Sequence, residues 1–364
     1  MKNLAQRILS RRNKVAAIKV VRSATAAVGV SLTIPKGVFA EGGKLNFYNW
    51  DTYIGETTIE DFEKETGVKV QYDLFADNAE LFAKMRGGNP GYDIIVPTND
   101  FVETMIEEDM LLPLDHSKIP NIANLEEVFM DAAFDPGRKF SLPYMWGTVG
   151  IGYRKSAVSK VPDSWADLYA SDEYAGRIAL MSEPTTTLQM AMKMNGHSIN
   201  DWTAENIAEA EATILAQKKN IAAFAADNGQ DLLLAGEVDL AMEWNGDIQQ
   251  IAAEDDDISY VVPKEGGLIW QDTMCIPKGA KNIENAHAMI NYILDAEVGR
   301  DLAEYVEYAT PNAASKKIVD PDYLANPVIF PSAETLARCE SATATTTEEA
   351  AMIDAAWTRI KAAG

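Results

Sequence analysis

Apolar and polar positions alternate from Lys44 to Trp50, with Leu45, Phe47 and Asn49 on one side and Asn46, Tyr48 and Trp50 on the other, a period that predicts a strand. Thr57 to Thr66 repeats at helical spacing and stops at Gly67. Val68 to Leu74 alternates again, and Asn78 to Arg86 is helical up to the breaker Gly87-Gly88-Asn89-Pro90. Tyr92 to Pro97 is a continuous apolar run, which predicts a strand covered on both faces in a mostly parallel sheet. The pattern recurs later as strands at Ile178 to Met181, Val238 to Trp244 and Tyr260 to Val262, with a helix from Asp201 to Gln217. Strand-helix-strand units of this kind give an α/β lobe, and there are two blocks of them. Between the blocks, the glycine-rich apolar run Pro143 to Tyr153 predicts a strand crossing from one lobe to the other, its glycines giving backbone freedom. Gly267 to Pro277 predicts a second crossing. No repeat of 20 to 50 residues is visible, and Glu340 to Ala351, rich in Thr, Ala and Glu, is predicted to be the loosest segment.

Within that second crossing, GLIWQDTMCIP, strand alternation puts Trp270 and Asp272 on one face and Gln271 on the other. A large aromatic ring and a carboxylate therefore share a surface. An acid inside an apolar strand costs several kcal/mol unless cations or hydrogen-bond donors meet it, so this pair points to a functional surface.

Composition narrows what such a surface serves. The 364 residues and 47% apolar content allow a sizeable core and exceed the usual length of one domain, so two lobes are the default expectation. Residues 1 to 40 read as an export signal. Seven Lys or Arg residues precede position 23 with no acid among them, Ala24 to Ile34 is small or apolar, and Val38-Phe39-Ala40 offers a cleavage site. The apolar part is too short to span a membrane. Arg11-Arg12 leaves the general secretory and twin-arginine routes both open. Beyond residue 40 there are 24 basic against 55 acidic side chains, a balance of about −31, which repels nucleic acid and anionic lipid and attracts small cations. Cys275 and Cys339 have the option of one disulfide in an oxidising compartment, but the apolar strand around Cys275 reads as buried core and favours free thiols.

Motifs for nucleophilic or metal catalysis are missing: no G-x-S-x-G, H-E-x-x-H or C-x-x-C is present, and Gly150-x-Gly152 lacks the rest of a dinucleotide fingerprint. His116, His197 and His287 are scattered and read as surface residues. No cofactor is called for. What remains are aromatics and acids at predicted strand ends, where ligands bind in open α/β sheets: Trp50, Tyr53, Thr98 and Asp100 from the first block, and Glu183, Trp244, Asp247, Trp270 and Asp272 from the later chain. Each has an ordinary alternative. Asp100 and Asp247 also suit helix N-caps, the tryptophans also suit core filling, and Glu183 beside Pro184 also suits a loop. Jointly they suit an organic ammonium ligand. Each cation-π contact contributes roughly 0.5 to 2 kcal/mol and each charge-assisted hydrogen bond roughly 1.5 to 3 kcal/mol, enough for affinity near or below about micromolar after ordering costs.

Phe47-Tyr-Asn-Trp-Asp-Thr-Tyr53, Tyr92-Asp-Ile-Ile-Val-Pro97, Leu142-Pro-Tyr-Met-Trp-Gly147, Trp244-Asn-Gly246 and Tyr308-Ala-Thr-Pro-Asn312 closely resemble the periplasmic spermidine/putrescine-binding proteins of polyamine ABC transporters, in order and across nearly the whole chain after residue 40. The resemblance implies a two-lobed periplasmic-binding-protein type II fold. Residues 41–151 with 269–316 would form one lobe and 152–268 with 317–364 the other, clamping a polyamine by hinge closure. It further implies a periplasmic monomer that delivers ligand to an inner-membrane ABC permease without catalysis or membrane insertion. Its aromatic box falls on Trp50, Tyr53, Trp244, Trp270 and Tyr308, its amine-binding acids on Asp272 and Glu183, and a hydroxyl position on Thr98. Asp247 matches an acid of putrescine-preferring relatives, so a diamine fits Asp247 plus Asp272 best. Thr186 and Asp100 depart from the family pattern, Thr186 replacing an amine-binding glutamate and Asp100 an aromatic. A polyamine-sensing module is the alternative. A paired-carboxylate hydrolase and a ferric-ion carrier using Tyr53 and Tyr308 have less support in the sequence.

Overall fold

A computed structural model describes residues 42–363. The export segment read at residues 1–40, including Arg11-Arg12, lies outside them.

Strand order is set by which runs are apolar on both sides. β1 (Gly43–Trp50) pairs in parallel with β2 (Val68–Phe75) and β3 (Ile94–Ile95). The connecting helix Thr58–Thr66 buries Phe62 and ends on Gly67, whose φ of 73° is the left-handed conformation glycine adopts without penalty. The helix Asn78–Arg86 lies where its spacing predicts. β10 (Leu268–Pro277) runs antiparallel between β3 and β5 (Ser141–Arg154), with short β4 (Leu111–Leu112) and β11 (Glu340–Ser341) alongside it. The later half is built from β8 (Leu240–Trp244), β6 (Ile178–Met181) and β7 (Ile221–Ala225), parallel to one another and joined to β5 through antiparallel β8. β9 (Ile258–Val261) also pairs with β5. The resulting path is β2-β1-β3-β10-β5-β8-β6-β7.

Alternation along these strands sorts side chains onto two faces. Phe47, Ile94 and Met274 join one buried cluster, while Tyr48, Ile95 and Cys275 join another on the opposite face. Sheets covered on both sides need helices above and below, which explains the near-continuous apolar runs. Strand β5 does what its sequence predicts: Ser141 to Thr148 pairs with β10, and Val149 to Tyr153 pairs with β8. One fourteen-residue strand thus belongs to both halves.

Several expectations need correction. Glu340 to Ala351 is not loose. Glu340 pairs with Leu268 and bonds Lys193, and the helix Thr347–Ala362 opens on a capping box in which Thr346 and Glu349 satisfy each other's backbone amides. His287 is core, not surface: it is 3% exposed, Nδ1 donates to the Ile283 carbonyl, and Nε2 accepts from the Asp115 amide. The helix expected from Asp201 begins at Ala204, capped by Thr203. Cys275 and Cys339 are both free thiols, with Cys275 buried, in keeping with the core reading. Among the described residues no helix is long and apolar enough to cross a membrane.

Candidate functional site

Where the carboxyl ends of β1, β3, β7 and β8 meet β10, the chain leaves a cleft of about 420 Å³. Eight of the ten residues singled out in the sequence line it: Trp50, Tyr53 and Thr98 from the early strands, Trp244 and Asp247 at the end of β8, Trp270 and Asp272 from β10, and Tyr308 from the later chain. Asp100 and Glu183 line an adjoining cavity of about 350 Å³, which shares Thr98, Trp244 and Trp270 with the first. A third cavity, of about 660 Å³, opens behind Trp50 and Trp244 and also reaches Glu183. The ten are therefore neighbours, distributed over two connected compartments.

The rings form a nearly orthogonal set. Trp244 and Trp270 stand 5.8 Å apart at 87°, Trp270 and Tyr308 5.1 Å apart at 74°, and Tyr53 and Tyr308 5.2 Å apart at 85°. Edge-to-face packing of this kind is a favoured aromatic geometry, and all four rings line the cleft. Trp50 is pinned by its Nε1, which donates to the Val96 carbonyl at 2.9 Å. Two glycines permit the close approach. A Cβ on Gly147 would lie 2.5 Å from Trp270 Cζ2, and one on Gly246 would lie 2.4 Å from the Tyr308 ring.

Trp270 and Asp272 do share a face, and Gln271 points away, its Oε1 accepting from buried Arg138 Nη2 at 2.6 Å. The strand is irregular just after Asp272, where Thr273 N donates to Pro97 O. Asp272 is only 4% exposed, and its Oδ1, Tyr53 Oη and Trp270 Nε1 make no hydrogen bond of good geometry, although the Tyr53 hydroxyl lies close enough to Asp272 to act on its carboxyl. Three buried polar atoms on one cleft are thus left unmet, a costly arrangement that marks a site awaiting a polar guest.

Carboxylates dominate the electrostatics, and no Lys or Arg lines any of the three cavities. Burial, with nearby Asp100 and Glu183, pushes the Asp272 carboxyl well above its ordinary range, although Tyr53 opposes the shift. Burial also lifts Glu183 to about 7, against the Thr186 hydroxyl that donates to its Oε2 at 2.8 Å. Asp100 is raised by burial too, while Thr98 Oγ1 donates to it at 2.7 Å. Neither Asp100 nor Asp247 is an N-cap. Their helices, Asn99–Glu107 and Asn245–Ala252, start earlier, with Thr98 and Trp244 at the cap positions, and the acids sit in the first turn.

Four acids escaped the sequence reading. Asp51 and Asp227 line the central cleft, and Asp77 and Glu243 line the cavity behind it. Asp51, Asp77 and Asp227 each follow the end of a strand by one or two residues, so the strand-end rule that singled out Glu183 also reaches Asp51 and Asp77, and reaches Asp227 once β7 is placed. Among the described residues no cluster of His, Cys, Asp and Glu has a metal-holding arrangement.

Comparison with known proteins agrees with this architecture. Residues 57–331 match the family model for bacterial extracellular solute-binding proteins. The chain is 36% identical over 317 residues to the spermidine/putrescine-binding periplasmic protein of Escherichia coli K12, covering 86% of this chain and 91% of that one. It is 32% identical over 330 residues to the putrescine/cadaverine-binding protein of Pseudomonas aeruginosa, covering 87% and 93%. Among solved structures, the spermidine/putrescine ABC transporter substrate-binding protein PotD of Streptococcus pneumoniae superimposes with a TM-score of 0.77 at 33% identity, over 88% of this chain and 98% of that one. With a fold of two lobes, a family match across most of its length and relatives of this identity, the chain belongs to the bacterial extracellular solute-binding proteins.

Proposed function

We propose that this protein is a periplasmic polyamine-binding protein that captures putrescine or spermidine in the ring-lined cleft and presents it to the inner-membrane permease of an ABC transporter. The observation that carries the reading is the cleft's chemistry: aromatic rings, several carboxylates, no compensating cation among the lining residues, and a buried Asp272 with an unpartnered oxygen. A linear ammonium ligand supplies what is missing, since its charge meets Asp272 and its methylene chain lies against the rings. The names of the E. coli and P. aeruginosa relatives support the same ligand class and compartment.

Residues 41–151 with 269–316 form one lobe in this reading, and 152–268 with 317–364 the other. The protein acts as a monomer and by binding alone. Closure is favoured by ligand because only the closed state brings groups from both lobes onto one small cation. Trp50, Tyr53, Trp244, Trp270 and Tyr308 form the box, and Asp272 takes an ammonium. Asp247 lies against the Tyr308 hydroxyl, while Thr98, Asp100 and Glu183 shape the adjoining compartment.

Calorimetric titration with putrescine, spermidine, cadaverine and agmatine tests the proposal. Binding of at least one at or below about micromolar Kd is expected, and failure of all four at about 100 μM removes it.

A further inference from the structure

Family resemblance pairs Asp272 with Asp247 for the two ends of a diamine. The geometry favours a different partner. Of the three other acids on the central cleft, Asp247 is engaged with Tyr308: its amide donates to the Tyr308 hydroxyl at 3.2 Å, and its carboxylate, by charge and by a side-chain hydrogen bond, adds to the burial that raises the Tyr308 pKa. Asp51 is exposed and already accepts from the Thr52 amide at 2.8 Å. Asp227 is partly buried, faces both the central cleft and the cavity behind it, and its carboxylate makes no hydrogen bond or ion pair with any described residue.

Its backbone is unusual as well. Asp227 has a φ of 48°, the left-handed region that Asp and Asn tolerate better than other non-glycine residues. That conformation belongs to the short link between β7 and the helix Gly229–Leu234, and it leaves a charged side chain where acids rather than bases surround it. Asp51, Asp231 and Asp77 all repel the Asp227 charge. Asp272, nine-tenths buried with an unmet oxygen, looks into the same cleft.

We propose that Asp227 is the second ammonium-binding group of this cleft, so that a linear diamine lies along the rings with one ammonium on Asp272 and the other on Asp227. The inference rests on the amine-binding reading above and makes Asp227 the residue that sets preference for two-ended over one-ended amines. A monoamine satisfies Asp272 and leaves Asp227 unmet.

The test compares putrescine with n-butylamine, its one-ammonium counterpart, on the wild-type protein and on Asp227→Asn. Asparagine is nearly isosteric and tolerates the same left-handed backbone, so charge is removed without disturbing the link. Asp227→Asn is expected to weaken putrescine by about tenfold to a hundredfold and n-butylamine by less than threefold. The putrescine loss should persist in 0.5 M salt, where charges that do not touch the ligand are screened within a few ångströms. Putrescine affinity within threefold of wild type, a putrescine loss that vanishes in salt, or equal losses for both amines would each overturn the inference. Absence of putrescine binding by the wild-type protein would instead remove the parent reading, so the two failures are distinguishable.

Discussion

Asp272 shows how a single side chain exposes a function. Strand alternation alone puts it on the same face as Trp270, and the structure adds that its Oδ1 is buried without a partner. Removing its charge therefore has opposite effects on binding and on the ligand-free fold. Asp272→Asn should weaken polyamine binding by about 3 kcal/mol, roughly a hundredfold, because the ligand's ammonium loses its buried counterion. The ligand-free melting temperature should hold or rise, because an unmet acid is gone; calorimetry and thermal scans read the two effects separately. Acidity gives a second expectation. Glu183, lifted to about 7, and Asp227, lifted to about 6, hold protons in the fold that the unfolded chain releases at lower pH. Groups with raised carboxyl pKa favour the folded state at low pH and lose that contribution as pH rises from about 4 to about 7. Between pH 8 and pH 6 the ligand-free protein should gain thermal stability from these groups, while affinity for a diamine falls as they take up protons. A pH-independent Kd over that interval would contradict this.

At the scale of elements, the sites of closest approach are set by absent side chains. The helix Asn245–Ala252 brings Gly246 against the Tyr308 ring, where a methyl group would overlap it. Gly246→Ala should destabilise the protein by about 1 to 3 kcal/mol and weaken ligand binding by pushing Tyr308 into the box, measurable as a lower denaturation midpoint together with a raised Kd. Element type was well marked in the sequence wherever period and stop signals coincided, as at Thr58–Thr66 before Gly67 or along β5. Strand β7 was not: Ile221-Ala-Ala-Phe-Ala is mostly alanine, with neither alternation nor β-branched enrichment, and it becomes a strand only because β6 offers a parallel edge. Losing β7 hid the strand end that presents Asp227. The capping box at Thr346 and Glu349 was legible, but the threonine-rich composition around it suggested looseness instead. The capping alternative that the sequence left open for Asp100 and Asp247 does not hold, because Thr98 and Trp244 occupy the cap positions and the acids fall in the first turn.

For the molecule as a whole, ligand and fold are thermodynamically linked. A ligand that binds only the folded protein stabilises it by about 2.7 kcal/mol at a hundredfold excess over Kd. The melting temperature should therefore climb with the logarithm of putrescine or spermidine concentration, and glutamate, an anion, should leave it unchanged. Equal shifts from both would argue against a negatively charged receptor site. Because Asp272 is nearly inaccessible, a guest reaches it more readily while the mouth is wider. How it widens is constrained by β5, which is bonded to β10 over its first half and to β8 over its second. Partners change between Thr148 and Val149, so a crease at that single link tears neither ladder, and the mouth can swing there as a door does on one seam of its frame.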